Sequence, residues 1–100
     1  MARRNVLFKT LTSSGVIHDA ACFFCGFVMA PSGVGDPTAG PYDGGAADQG
    51  DETKMVFPER EYDGTQKLVF GGLPGVFVRC STGLYLYISG NCTATVYYSV

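Results

Sequence analysis

Charge is missing from long stretches of this chain. From Cys80 to Val100 there is no Asp, Glu, Lys or Arg, and from Ala20 to Gly35 there is none either. Charged residues make up 16% of the 100 positions, against roughly 25% in typical soluble domains. A free monomer spreads charge over its surface for solubility. A charge-poor half therefore predicts a surface that meets other protein. Interface cores lose Lys, Glu and Asp and gain aromatics. The six Tyr and seven Phe agree with that, although a β core also collects them.

Other absences narrow the function further. Net charge is −2, and Arg3, Arg4 and Lys9 are too few basic residues for the several phosphate contacts of a nucleic-acid footprint. They are expected instead to pair with acidic groups on a protein partner, with no direct nucleic-acid contact. No apolar run approaches the ~20 residues of a membrane helix, so no membrane partner is expected. The run after Arg3-Arg4 is broken by Lys9, Thr10 and Thr12-Ser13-Ser14, unlike a secretory signal. The chain is expected to be made in a cytoplasm.

Helix signals are nearly absent. The 14 Gly and five Pro punctuate runs of period two, the mark of strands. Asn5 to Thr12 reads as a first strand, with Val6, Phe8 and Thr10 on one face and Leu7, Lys9 and Leu11 on the other. Val16 to His18 reads as a short strand. Cys22 to Ala30 is apolar on both faces, as in a strand buried on both sides or set between the core and a neighbour. Pro31 to Glu52, rich in Pro, Gly and acidic residues, reads as a long loop with room for a short strand at Ala39 to Tyr42; loops this long are often functional. Further strands are predicted at Thr53 to Phe57, Gln66 to Phe70 and Val76 to Cys80, with Glu59 to Gly64 a charged turn.

Leu84 to Ser89 and Cys92 to Ser99 flank Gly90-Asn91, which suits a primed two-residue turn. The predicted hairpin opposes Tyr87 to Ala94 and Tyr85 to Val96. It turns Leu84, Leu86 and Ile88 to the core and leaves Tyr85, Tyr87 and Tyr98 on a half-exposed or interfacial face. Six to eight short strands predict an all-β fold: a single small β-sandwich or jelly-roll-like domain. Residues 1–12 form an amino-terminal arm and first strand, and 13–100 the sandwich.

Chemistry has few places to reside. Cys22, Cys25, Cys80 and Cys92 could supply the four thiolates of a tetrahedral zinc site. However, Cys22-Phe-Phe-Cys25 sits in a strand pattern, where residues three apart point to opposite faces. Four buried, inert thiols are the expectation, and a reducing cytoplasm disfavours disulfides. His18 is the single histidine, and Asp19 beside it faces away in a strand, so no triad is expected. Asp36, Asp43, Asp48, Asp51 and Glu52 do not follow a calcium-loop spacing and read as a solvated or partner-facing loop. No catalytic residue, metal or cofactor is expected.

The order of short motifs resembles small bacteriophage virion proteins, β-domains that serve as capsid decoration (cement) or head-fibre proteins. The motifs are SSGVI (Ser13–Ile17), CGFVM (Cys25–Met29), YDG (Tyr42–Gly44), TKMVFP (Thr53–Pro58) and STGLYLYISGNCTATVYY (Ser81–Tyr98). The four cysteines and the Pro/Gly-rich loop depart from that pattern. The resemblance implies a domain on the outer capsid surface of a virion that bridges major capsid protein subunits, as a homotrimer. Met1 to Lys9 would order on binding, with Arg3, Arg4, Lys9, Tyr85, Tyr87 and Tyr98 as partner-binding residues. The alternatives are a head-fibre or tail-associated module that binds a host-surface glycan, and a head–tail connector or tail component.

Overall fold

The computed structural model describes residues 5–72 and 76–100. Among these residues, nine strands form two antiparallel sheets packed face to face. They are β1 (Val6–Leu11), β2 (Gly15–His18), β3 (Cys22–Pro31), β4 (Thr38–Asp43), β5 (Arg60–Glu61), β6 (Val69–Gly71), β7 (Val78–Cys80), β8 (Leu84–Ser89) and β9 (Cys92–Ser99). One sheet runs β1-β9-β3-β6, with β7 also on β3; the other runs β2-β8-β4-β5. Among the described residues there is no α-helix, only one 3₁₀ turn at Ala46–Asp48.

The pairing is nested. β1 pairs β9, β2 pairs β8, β3 pairs β7 and β6, and β4 pairs β5, all antiparallel. A long hairpin rolled up on itself produces this order, and it is the jelly-roll topology. The all-β sandwich expected from period-two runs is the fold.

The core lies between the sheets. Phe24, Phe27, Met29, Ala94 and Val96 project from one sheet, and Ile17, Ala39, Leu84, Leu86 and Ile88 from the other. β3 alternates Cys22, Phe24, then Phe27 and Met29 inward. The step from Phe24 to Phe27 is made by a bulge at Cys25-Gly26. Gly26 there takes φ +125°, a conformation open mainly to glycine. The bulge puts one extra residue in β3 and lets two phenylalanines three apart share the inner face.

The predicted Leu84–Ser99 hairpin does not form. β8 and β9 belong to different sheets, and Gly90-Asn91 carries the chain between them. The reason is burial. β9 turns Cys92, Ala94 and Val96 inward and leaves Thr93 and Tyr97 exposed. A hairpin would have put that apolar set on the face opposite Leu84, Leu86 and Ile88, where one sheet cannot cover both. Crossing the sandwich lets the two apolar rows face each other.

Three further expectations change. Thr53 to Phe57 is not a strand: Met55 makes a lone bridge to Tyr42. The charged turn holds β5, which pairs Thr38 and Ala39 of β4. Lys9 is part of β1 rather than of a free arm, and its Nζ donates to the Val16 carbonyl at 2.8 Å.

The acidic loop is exposed at Asp36, Asp51 and Glu52 and is also tied by its carboxylates to backbone N–H groups. Asp36 accepts from the Gly64 N–H at 2.8 Å, Asp48 from Gly45 at 2.9 Å, and Asp51 from the Thr53 N–H and hydroxyl. Asp43, the last residue of β4, accepts from the N–H groups of Ser81, Thr82 and Gly83 and from the Ser81 hydroxyl. Burial raises the pKa of Asp43, but these four donors outweigh it and hold the carboxyl below its ordinary value. A depressed folded pKa gives stability above the unfolded pKa that is lost as pH falls through the folded one. Asp43→Ala should therefore cost about 1–3 kcal/mol at neutral pH, nearer the low end because solvent reaches the site. Urea titrations of both proteins should converge as the pH drops through the acid range; a pH-independent gap would exclude the tie.

Candidate functional site

Among the described residues, the outer face of the five-stranded sheet carries exposed aromatic side chains. Register fixes its composition. On β1 the outward residues are Val6, Phe8 and Thr10, opposite Ser99, Tyr97 and Thr95 of β9. On β3, Val28 lies between Thr95 of β9 and Phe70 of β6. Phe8 is 68% exposed and Phe70 71%. For phenylalanines in regular strands of a domain with a well-filled core this is unusual exposure, and contiguous exposed apolar patches mark interaction sites.

The face is ordered by its own contacts. The rings of Phe8 and Tyr97 lie 6.4 Å apart at 48°. The Thr10 and Thr95 hydroxyls hydrogen-bond across the strands at 2.8 Å. Between Tyr97 and Phe70 lies a shallow recess of about 160 Å³. Its floor is the backbone of Gly26, Gly71 and Gly72, and its walls are Cys25, Val28, Phe70 and Tyr97. The β3 bulge makes this recess, because two small residues there leave the outer surface without side-chain cover.

Most of the charge lies elsewhere. Eleven of the sixteen charged residues fall between Asp36 and Lys67, the stretch that holds β4 and β5 of the other sheet. None of the outward residues Val6, Phe8, Thr10, Val28, Phe70, Thr93, Thr95 and Tyr97 is ionisable below the tyrosine range. Arg79 of β7, opposite Phe23 in register and set over its ring at 5.8 Å, puts one cation on this same outward face.

The tyrosines singled out from the sequence do not share one face. Tyr85 and Tyr87 point outward from the four-stranded sheet, where Tyr85 is buried and Tyr87 half-buried. Tyr85 stands opposite Tyr42, whose side chain is fully buried and whose hydroxyl donates to Glu59. Glu59 lies against Gly40, so the segment after β4 folds back over this side. Burial, then the bond to Glu59, push the Tyr42 hydroxyl up. Tyr98 is turned inward, half-buried against the core, with its ring 5.5 Å from His18. Arg3 and Arg4 lie outside the described residues. The residues missed were Phe8, Phe70 and Tyr97. Their signal was present for Phe8, on the outward row of β1, but only the β1–β9 pairing unites it with Tyr97.

The four cysteines are thiols and do not converge. Cys22 and Cys80 are opposite one another across β3 and β7, Cys25 faces the outer recess, and Cys92 pairs with Pro31 at the far end of β3. Among the described residues no three His, Cys, Asp or Glu side chains come together as metal ligands.

Comparison with protein-family models, curated proteins and solved structures finds no match.

Proposed function

We propose that this protein is a structural docking module, a capsid decoration protein that binds the outside of a viral shell through the outer face of its five-stranded sheet. The observation that carries the reading is the exposed Phe8–Tyr97–Phe70 surface, which carries no acidic residue, on a domain that has eleven of its sixteen charged residues between Asp36 and Lys67. Such a face is costly for a solitary protein and suits a permanent partner. The motif resemblance to phage virion proteins selects a shell subunit as that partner. Jelly rolls are frequent among capsid proteins, though also among lectins and cupins, so the topology adds support by analogy only.

Many copies on one particle give avidity without high single-site affinity. A shell-bound copy that touches two neighbouring subunits resists their separation. The glycan-binding alternative rests on the tyrosines of Leu84–Ser99 as one surface, and Tyr85, Tyr87 and Tyr98 do not share a face. The trimeric state remains part of the proposal, with copies meeting around the same face.

The test is co-sedimentation of the purified protein with empty shells of the virus that encodes it. Aromatic residues at the centre of such interfaces each contribute about 2 kcal/mol or more. Phe8→Asp with Phe70→Asp should therefore weaken binding by about 100-fold or more while the far-ultraviolet spectrum stays that of the wild type. Undiminished binding by the double variant would reject this face. A wild-type protein that is monomeric at all concentrations and ignores the shell would reject the function.

A further inference from the structure

Cys22 opens β3 and Cys80 closes β7, and the two are direct partners in the antiparallel register, Cys22↔Cys80. Directly opposed residues in such a ladder have Cα atoms about 4.5–5.5 Å apart, inside the roughly 4.4–6.8 Å window that a disulfide requires. Both side chains point to the same, inner face and both are buried, at 3% and 0% exposure. Each thiol is close enough to bear on the other's titration, and the Cys80 thiol donates to the Val78 carbonyl. Neither Cys25, on the other side of the bulge, nor Cys92, at the opposite end of β3, has this relation to any cysteine.

We propose that Cys22 and Cys80 are a redox-linked pair: reduced when the protein is made, and joined as a cross-strand disulfide once it meets an oxidising medium. The oxidant is a small-molecule disulfide such as oxidised glutathione. One thiol loses its proton and attacks the reagent, forming a mixed disulfide and releasing one thiol of the reagent. The second cysteine then attacks the mixed disulfide, forming the Cys22–Cys80 bond and releasing the second reagent thiol. Two protein thiols are oxidised, one reagent disulfide is reduced to two thiols, and the two protons pass to those thiols.

Both thiols are enclosed, and burial pushes the Cys80 thiol up to about 12 and raises that of Cys22 as well. The thiolate is the reactive form, so exchange is slow in the closed fold and waits on opening at β7. That strand has three residues and, among the described residues, pairs with β3 alone. The bond would tie β7 to β3 beside the Asp43 clamp at Ser81–Gly83 and close a loop spanning more than half of the chain.

The test is refolding of the full chain from denaturant in a glutathione redox buffer, which removes the barrier of access. Remaining thiols are then alkylated and the peptides mapped by mass spectrometry. The expected result is one linked peptide pair containing Cys22 and Cys80, with Cys25 and Cys92 alkylated. A loop of this length predicts a thermal midpoint about 10 °C or more above that of the reduced protein. Cys25→Ser should form the link unchanged, and Cys80→Ser should show neither link nor shift. Four alkylated cysteines after refolding at an oxidising glutathione ratio would overturn the proposal. So would a linkage that uses Cys25 or Cys92, or a midpoint unmoved by formation of the link.

Discussion

Phe27→Ala should lower stability by about 3–5 kcal/mol, the range for a phenylalanine removed from a packed core. That would take a large part of the about 5–15 kcal/mol that holds a domain together and drop the thermal midpoint by more than about 10 °C. Phe27 is the centre of the aromatic core. Its ring meets Phe57 and Tyr62 edge-on, at 6.4 and 6.1 Å between centroids, and Phe24 at 6.5 Å. It also lies over Gly71, its partner across β3 and β6, filling the place where a side chain at Gly71 would stand. Deleting the ring opens a void that three sides cannot close together. Phe70→Ala is the control on the neighbouring strand β6, next to Gly71: Phe70 is 71% exposed, so the change should stay within about 0.5 kcal/mol. Urea or thermal unfolding of both variants decides, and equal effects would place Phe27 outside the core.

Gly64→Ala should cost about 3 kcal/mol or more. A methyl group there would drive into the carbonyl oxygen of Gly35. That oxygen is backbone and cannot swing aside as a side-chain tip can. Overpacking alone costs about 1–3 kcal/mol, and the shift would also pull the Gly64 N–H from Asp36 and the Tyr62 N–H from Pro37, bonds of 2.8 Å each. Those two bonds hold the segment before β4 to the segment after β5. Gly45→Ala, where nothing lies within 4 Å of the new carbon, should be close to neutral. A Gly64→Ala protein with wild-type stability would mean that the two segments separate freely.

The strands were legible where period two ran clean. β1, β3, β8 and β9 lie within a residue or so of the sequence reading at either end. β4 was read as a short strand at Ala39 to Tyr42 within a long loop, one residue short at each end, because Pro37 and Pro41 look like loop residues. Pro41 is tolerated in that strand because its partner on one side thins to the two-residue β5 and the Met55 bridge. Partnership was the part that local pattern could not carry. Gly90-Asn91 has the chemistry of a hairpin turn, yet it sits at a corner of the sandwich, with Gly90 at φ +98° packed against Pro37. The choice between turn and corner depends on where the apolar rows of both strands find cover, and that is a property of the whole domain. The exposed face was half legible for the same reason: Phe8 stood in an outward row from the start, but its neighbours Tyr97 and Phe70 come from strands remote in the chain.

The nested pairing bears on how this protein acquires its shape. β9 sits between β1 and β3, so the larger sheet stays split until residues 92–99 have been added to the chain. Until then Phe24, Phe27 and Met29 have only the three-residue strands β6 and β7 beside them in the sheet. Loops that link distant partners must close before their contacts reward them, which makes such topologies slow to fold. A nascent copy of this domain therefore gains little by folding early: its sheets close late and together, once the whole sequence is present.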